Sequence, residues 1–331
     1  LAAPLPWLLL RLRGRAVRSV CLSAIVVAEL WGVAWAWHGS VPKSLVWFPT
    51  SVTSFLREAR DEGRVLPLGF TMPPNTNLPY GIRSVLGYDA IDAADQARLL
   101  RHLGGYSARG LYDTVLPERL RNPRVAELAN VRFLLDDPLR PRLDTEEFAR
   151  RTGFRLRVVY DAPDGRIYEM PSTRPPAWLA KAVHADPGQS TFFALLSAHD
   201  RAAVEEAFVD AVVAPADGAE GGAALLSRAG NTLELRVSAS AAGWVVVAEG
   251  HDSGWEAEVN GARAPVYRAN GAFLAFPVPR GESRARLVYR PASLRVGAAL
   301  SAAGLFVLAL LSLGAGTRRA GSAPAAAPRD D

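Results

Sequence analysis

The chain has 331 residues, and its 38 Lys and Arg residues outnumber its 33 Asp and Glu residues, which gives a net charge of +5. Its single cysteine, Cys21, excludes a framework of disulfide bonds. The sequence has no basic stripe with interleaved aromatic residues, so nucleic acid is not expected as a partner.

The chain opens with an apolar stretch and a basic cluster. Residues 1–18 are predicted to hold the end of a preceding membrane segment and a cytoplasmic loop with four arginines. Residues 19–38 are predicted to form a transmembrane helix, since about 20 apolar residues span a bilayer and basic residues mark its cytoplasmic side. A secretory signal peptide is the alternative, although the apolar run exceeds the roughly 7–15 residues of such peptides. The sequence is therefore expected to be the C-terminal piece of a longer multi-span protein.

Residues 39–175 are predicted to form an exterior α+β domain. Residues 51–60 and 93–103 have helical patterns, and residues 64–70 and 130–135 read as short strands. Turn residues at 161–165 separate two further strand patterns, which predicts a hairpin.

Residues 176–291 are predicted to form an exterior antiparallel β-sandwich. Short strand patterns recur about every ten residues, as is typical of sandwiches. Asn260-Gly261 is a strong signal for a two-residue hairpin turn.

The chain ends in a second apolar run. Residues 294–316 are predicted to form a transmembrane helix, because Arg318 and Arg319 follow an uncharged apolar stretch. Residues 317–331 are rich in Ala, Pro and Gly and are predicted to form a disordered cytoplasmic tail. The predicted fold class is thus a membrane protein fragment, with two transmembrane helices flanking an exterior α+β domain and an antiparallel β-sandwich.

Several motifs together resemble one family. They are GWEAEVNG at residues 254–261, APVYRAN at 264–270, FPVP at 276–279, NVRFLL at 130–135, and a loop running from PN at 74–75 through YG at 80–81 to GYDA at 87–90. Over nearly all of residues 29–311 the chain resembles the bacterial YfhO membrane proteins.

The resemblance implies a polytopic protein similar to the GT-C glycosyltransferases, which take sugars from lipid-linked donors outside the membrane. Some members are implicated in glycosylating cell-wall polymers such as lipoteichoic acid. The implied partners are membrane lipid, a lipid-linked sugar donor, a cell-wall polymer or glycan acceptor, and N-terminal helices of the same protein. The family's catalytic carboxylate is expected to precede this sequence, so no catalytic residue and no cofactor is assigned here.

Five residues are candidates for function. Asn75, Tyr80, Tyr88 and Asp89 could bind a polar head group from a stiff loop, although Asn75 and Asp89 could instead stabilise the local turns. Glu29 is an ionisable residue within an apolar run, and it is interpreted either as part of a lipid-carrier site or as a structural partner of another helix. The five histidines are dispersed, so no metal site is predicted.

Two functions remain open. In the first, the chain is the non-catalytic part of a membrane glycosyltransferase-like protein and binds the acceptor or glycan outside the membrane. In the second, it is a membrane-anchored binding or scaffold module, and the protein has no transferase activity.

Overall fold

A computed structural model describes residues 15–37, 42–73, 75–87, 93–107 and 114–320. The chain divides into two compact units, Leu1–Pro49 and Thr50–Asp331. In the first unit, helix α1 spans Arg15–Trp37 and helix α2 spans Lys43–Val46. The side chains of this unit whose burial is described are partly or largely exposed.

The second unit holds the remaining helices and all the described strands. Its helices are α3 (Ser51–Glu58), α4 (Ala94–Leu103), α5 (Arg124–Leu128), α6 (Thr145–Thr152), α7 (Ser190–Ser197), α8 (Ala202–Glu205) and α9 (Ala292–Ala320). Its strands are β1 (Arg64–Pro67), β2 (Tyr106–Ser107), β3 (Thr114–Val115), β4 (Val131–Asp136), β5 (Arg157–Ala162), β6 (Gly165–Glu169), β7 (Ala177–Leu179), β8 (Ala182–Ala185), β9 (Ala207–Val209), β10 (Ala216–Asp217), β11 (Gly221–Ala229), β12 (Thr232–Ala239), β13 (Gly243–Gly250), β14 (Trp255–Val259), β15 (Ala262–Ala264), β16 (Tyr267–Ala269), β17 (Phe273–Val278) and β18 (Gly281–Tyr289).

The strands form four sheets. A four-stranded sheet has the order β1-β4-β6-β5, with β1 parallel to β4 and the other pairs antiparallel. A seven-stranded sheet has the order β10-β8-β9-β16-β17-β13-β7, and a five-stranded antiparallel sheet has the order β11-β12-β18-β14-β15. Strands β2 and β3 form a separate pair.

Strand β13 shows how the layers pack. Val245 and Val247 belong to a core shared with the five-stranded sheet, whereas Val246 belongs to a second core that includes Leu99 of α4 and Phe192 of α7. Neighbouring side chains of a strand point to opposite faces, so both faces of the seven-stranded sheet are covered. This burial explains the continuous apolar run of β13.

The two predicted transmembrane helices are not supported. Within the described residues, no helix is both long enough and apolar enough to cross a membrane. Glu29 interrupts the apolar run of α1, and Arg295 lies in the first turn of α9. Residues 1–14 and 321–331, which hold most of the predicted preceding segment and tail, lie outside the described residues.

The predicted sandwich also needs correction. The seven-stranded sheet is mixed, because β8 and β9 are parallel and are joined through α7 and α8. A parallel pair needs such a crossover connection. The sequence pattern was interpreted as all-β between residues 176 and 291, so the two helices of the crossover were missed. The predicted fold class is thus wrong, and the described fold is α+β with several sheets. The predicted domain boundary at residues 175 and 176 stays a prediction.

Candidate functional site

The predicted polar loop is built largely from local contacts. Asn75 has a left-handed backbone conformation with φ of 72°, and Tyr80 ends a 3₁₀ turn and packs against buried side chains. The buried Asn77 donates from Nδ2 to the carbonyl oxygen of Ile82 at 2.7 Å, which closes the loop. Tyr88 and Asp89 lie outside the described residues. Binding by Asn75 and Tyr80 stays a prediction.

The same loop forms one wall of an open cleft of about 380 Å³. Asn77 and Leu78 line it on this side, and α4 contributes Gln96, Leu99 and Leu100. Further lining residues come from β11, the end of β13, and residues 272–273 at the start of β17. The cleft therefore combines residues from the N-terminal and C-terminal parts of the second unit.

Four charged side chains line this cleft: Arg64, Arg83, Arg228 and Glu249. Glu249 Oε1 accepts a hydrogen bond from Arg228 Nη2 at 2.6 Å and another from Arg64 Nη2. Arg64 Nη1 also donates to the carbonyl oxygen of Ala129 at 3.3 Å. Three guanidinium groups and one carboxylate leave two positive charges in excess. We call this group the arginine cluster.

Irregular strand pairing accompanies three members of the arginine cluster. The register of β1 against β4 shifts between Arg64 and Val65, and that of β13 against β17 shifts between Val247 and Gly250, on either side of Glu249. The register of β11 against β12 shifts just before Arg228. Bulges re-aim side chains and are frequent beside functional sites. They explain how residues from three different strands converge.

Arg83 reaches the cleft by another route. The amide of Val65 donates to the Arg83 carbonyl oxygen at 2.8 Å, which pins this segment along the edge of β1. Its guanidinium Nε and Nη2 donate to the carbonyl oxygen of Arg60 at 3.2 and 3.0 Å. Among the described residues, no carboxylate lies within ion-pair distance of the Arg83 guanidinium.

The cluster also shifts the proton affinities of its members. Burial would raise the pKa of Glu249, but the positive charges of Arg64 and Arg228 outweigh burial, so that its pKa is lowered. Burial, followed by repulsion from Arg64 and Arg228, lowers the pKa of Arg83. An arginine nevertheless stays protonated in proteins. Glu249 is thus a carboxylate and Arg83 a cation near neutral pH.

A smaller cavity of about 260 Å³ lies elsewhere in the second unit, and we call it the balanced pocket. Its charged lining residues are three basic and three acidic side chains: Arg140, Arg142, Arg151, Glu118, Asp144 and Glu147. Arg140 contacts Glu118 at 3.0 Å and Arg151 contacts Glu147 at 3.6 Å. Arg142 pairs instead with Asp161 outside the pocket, and the charges that line the pocket sum to zero.

Conspicuous motif residues prove to be structural. Arg268 forms ion pairs with Asp95 and Asp210. The fully buried Asn270 donates from Nδ2 to the carbonyl oxygens of Ala203 and Glu206, at 3.1 and 2.8 Å. Arg268 and Asn270 of the motif APVYRAN therefore stabilise the fold, and Asn270 links the crossover to the sheet.

The tryptophans of the β layers pack in the same way. Trp244 is buried against Tyr267, and Trp255 lies against Tyr289 and donates from Nε1 to the carbonyl oxygen of Gly250 at 3.2 Å. Neither ring is presented as an open platform for a sugar.

Outside the cleft, Glu29 is exposed on α1. Its two interpretations are not tested and stay predictions. In the part of the chain that the structure describes, no group of three or more His, Cys, Asp and Glu residues could hold a metal ion.

Fold and cleft together define an α+β protein with layered sheets and a cleft of net positive charge. Residues 219–301 match the family model described as bacterial membrane protein YfhO. This match confirms the resemblance to the YfhO family over residues 219–301, and the family supports a location at the bacterial membrane. The matched segment includes Arg228 and Glu249 of the arginine cluster. No curated protein and no solved structure matches the chain.

Proposed function

We propose that this chain is a non-catalytic part of a YfhO-family membrane protein and binds an acceptor polymer or glycan during sugar transfer from a lipid-linked donor. The arginine cluster carries the proposal. It lies in an open cleft with an excess of positive charge, and the YfhO-matching segment supplies one of its walls. Polar chains of the cell envelope are ligands suited to such a cleft.

The state of Glu249 supports binding rather than chemistry at this site. A general acid or base works best with a pKa near the operating pH. Two arginines hold the Glu249 carboxylate, and its pKa is lowered, away from neutrality. The catalytic carboxylate is therefore expected elsewhere in the full-length protein.

The finer localisation belongs to the same proposal. The second unit lies on the extracytoplasmic side of the membrane, where lipid-linked sugars and envelope polymers meet, and the full-length protein is multi-pass. Cysteines introduced at Gly222 and Ser227, in place of residues on an exposed strand, would report the side of the membrane through an impermeant thiol reagent. Labelling only after the membrane is permeabilised would refute the extracytoplasmic location.

Acceptor kinetics test the proposed role. Membranes containing the full-length protein are supplied with lipid-linked sugar and purified envelope polymer, and transfer is measured against polymer concentration. We expect Arg228→Gln to raise the KM for the polymer about tenfold and to leave kcat unchanged, because uniform binding is lost. If Arg228→Gln lowered kcat and kcat/KM by the same factor, Arg228 would act in the transition state, and the proposed non-catalytic role of the chain would be wrong. Polymer binding without any sugar transfer would identify a scaffold module instead.

A further inference from the structure

Arg83 distinguishes the arginine cluster from an ordinary network of ion pairs. Arg64 and Arg228 share the one carboxylate that lines the cleft, whereas the described partner of the Arg83 guanidinium is the neutral carbonyl oxygen of Arg60. Asp61 and Glu249 attract Arg83 only from a greater distance. A partly buried cation of this kind is stabilised when an anion enters the cleft.

The donor chemistry also favours one class of anion. Each guanidinium carries five N–H donors, and the described hydrogen bonds use two groups of Arg64 and one of Arg228. A guanidinium group can donate two parallel hydrogen bonds to two oxygens of one phosphate. A tetrahedral phosphoryl group can accept such hydrogen bonds from several arginines at once. The excess of two positive charges suits a phosphate or diphosphate group.

The cleft around the arginine cluster is large enough to hold a chemical group attached to the phosphate. The side chains of Arg64 and Glu249 are only 14% and 19% exposed, so the charges lie inside the cleft, where solvent screens them less than at the surface. The cleft of about 380 Å³ exceeds the volume of a single phosphate group and extends along apolar and amide side chains. A sugar or glycerol unit attached to the phosphate could occupy this space.

From these contacts we infer that Arg64, Arg83 and Arg228 bind a phosphate group of the ligand, an inference that rests on the proposed function and names its substrate class. The phosphate belongs either to a phosphodiester-linked envelope polymer or to the diphosphate head of a lipid carrier. Both sources present the same oxygens to the arginines.

Direct binding measurements test this inference. The full chain is titrated by calorimetry with inorganic phosphate, pyrophosphate, a glycerol phosphate oligomer and a neutral disaccharide. We expect the phosphate-bearing probes to bind and Arg83→Gln and Arg228→Gln each to weaken binding about tenfold, the loss expected for one charge-assisted hydrogen bond. Arg263→Gln is the matched control. Arg263 is 82% exposed on β15, away from the cleft, and its replacement should leave affinity unchanged.

The outcomes separate the possibilities. Equal affinity of Arg83→Gln, Arg263→Gln and wild type would overturn the inference, as would preference for the neutral disaccharide. Circular dichroism verifies that each variant is folded, and Arg83→Lys, which keeps the charge but loses the fork, should bind with intermediate affinity. Tighter binding of the oligomer assigns the polymer as the source, and tighter binding of pyrophosphate assigns the lipid head.

The binding experiments distinguish failure of the proposed acceptor-binding function from failure of the inferred phosphate site. If envelope polymer binds in the cleft and Arg83→Gln has no effect, the phosphate inference fails while the proposed function stands. If pyrophosphate binding depends on Arg83 but polymer does not bind, the proposed acceptor role fails while the phosphate site stands.

Discussion

The arginine cluster and the balanced pocket use the same residue types in opposite ways. Both present three arginines, but the balanced pocket matches them with three carboxyl groups and the arginine cluster with one. In the balanced pocket the lining charges sum to zero, and two of its arginines form ion pairs with carboxylates of the same pocket. In the arginine cluster the excess positive charge must be solvated by water or neutralised by a bound anion. The two sites therefore differ in the number of carboxylates that face their arginines, and this difference is the basis for proposing that only the arginine cluster binds a ligand.

The largest expected effect on stability is at Arg64. We expect Arg64→Ala to lower the free energy of unfolding by about 3 kcal/mol, because it breaks a largely buried ion pair and leaves Glu249 with one partner. Urea denaturation of the full chain measures the change. The double variant Arg64→Ala with Glu249→Gln should recover part of the loss. A loss below about 0.5 kcal/mol would place this pair among ordinary surface pairs.

The next effect depends on pH. Since the pKa of Glu249 is lowered in the folded state, its contribution to stability is complete above the unfolded pKa of about 4.5 and is lost as the pH falls through the folded pKa. We expect Glu249→Gln to weaken the dependence of stability on pH below about 4.5. Denaturation at several pH values measures this slope. Parallel curves for the variant and wild type would contradict it.

A helix cap in the balanced pocket has a smaller effect. Asp144 Oδ1 accepts hydrogen bonds from the amides of Glu146 and Glu147, at 3.0 and 2.9 Å, at the start of α6. We expect Asp144→Ala to cost about 1 kcal/mol and Asp144→Ser to cost less, because serine can also cap a helix. Thermal denaturation compares the two. Phosphate binding by the arginine cluster should be unaffected in both.

The smallest effect is expected at Glu118. Its side chain is 53% exposed where it meets Arg140. Exposed pairs contribute roughly 0–1 kcal/mol, so we expect Glu118→Gln to change stability by less than about 0.5 kcal/mol. The same urea experiment that is used for Arg64→Ala measures it. A loss as large as that of Arg64→Ala would show that the balanced pocket is as tightly coupled as the arginine cluster.

Local chemistry made some elements predictable. Asn260-Gly261 was expected to form a two-residue turn, and Val259 pairs with Ala262 across these two residues, which have φ of 52° and 81°. The turn at 161–165 likewise joins β5 to β6, since Ala162 pairs with Gly165. In both cases the residues that determine the turn are neighbours in sequence, so no tertiary information was needed.

The cleft could be predicted only in part. The loop that carries Asn75 and Tyr80 was singled out, yet its residues in the cleft are Asn77 and Leu78. The arginine cluster was missed because its members come from distant parts of the chain, and the register shifts beside Arg64, Arg228 and Glu249 leave no local sequence pattern. Arginines within strand segments were the one sequence signal for the cleft. Such arginines are too common in proteins to identify a binding site.

The pairing of β7 with β13 also constrains the time course of folding. Ala177, Trp178 and Leu179 pair with Val247, Val246 and Val245. Strand β7 therefore pairs with a strand that lies far downstream in the sequence. Contacts of long sequence separation slow folding, since the intervening chain must first lose its freedom. During synthesis, β7 would leave the ribosome well before its neighbour. A nascent chain ending before β13 should therefore be sensitive to protease around Trp178, and resistance should appear only once the later strands have emerged.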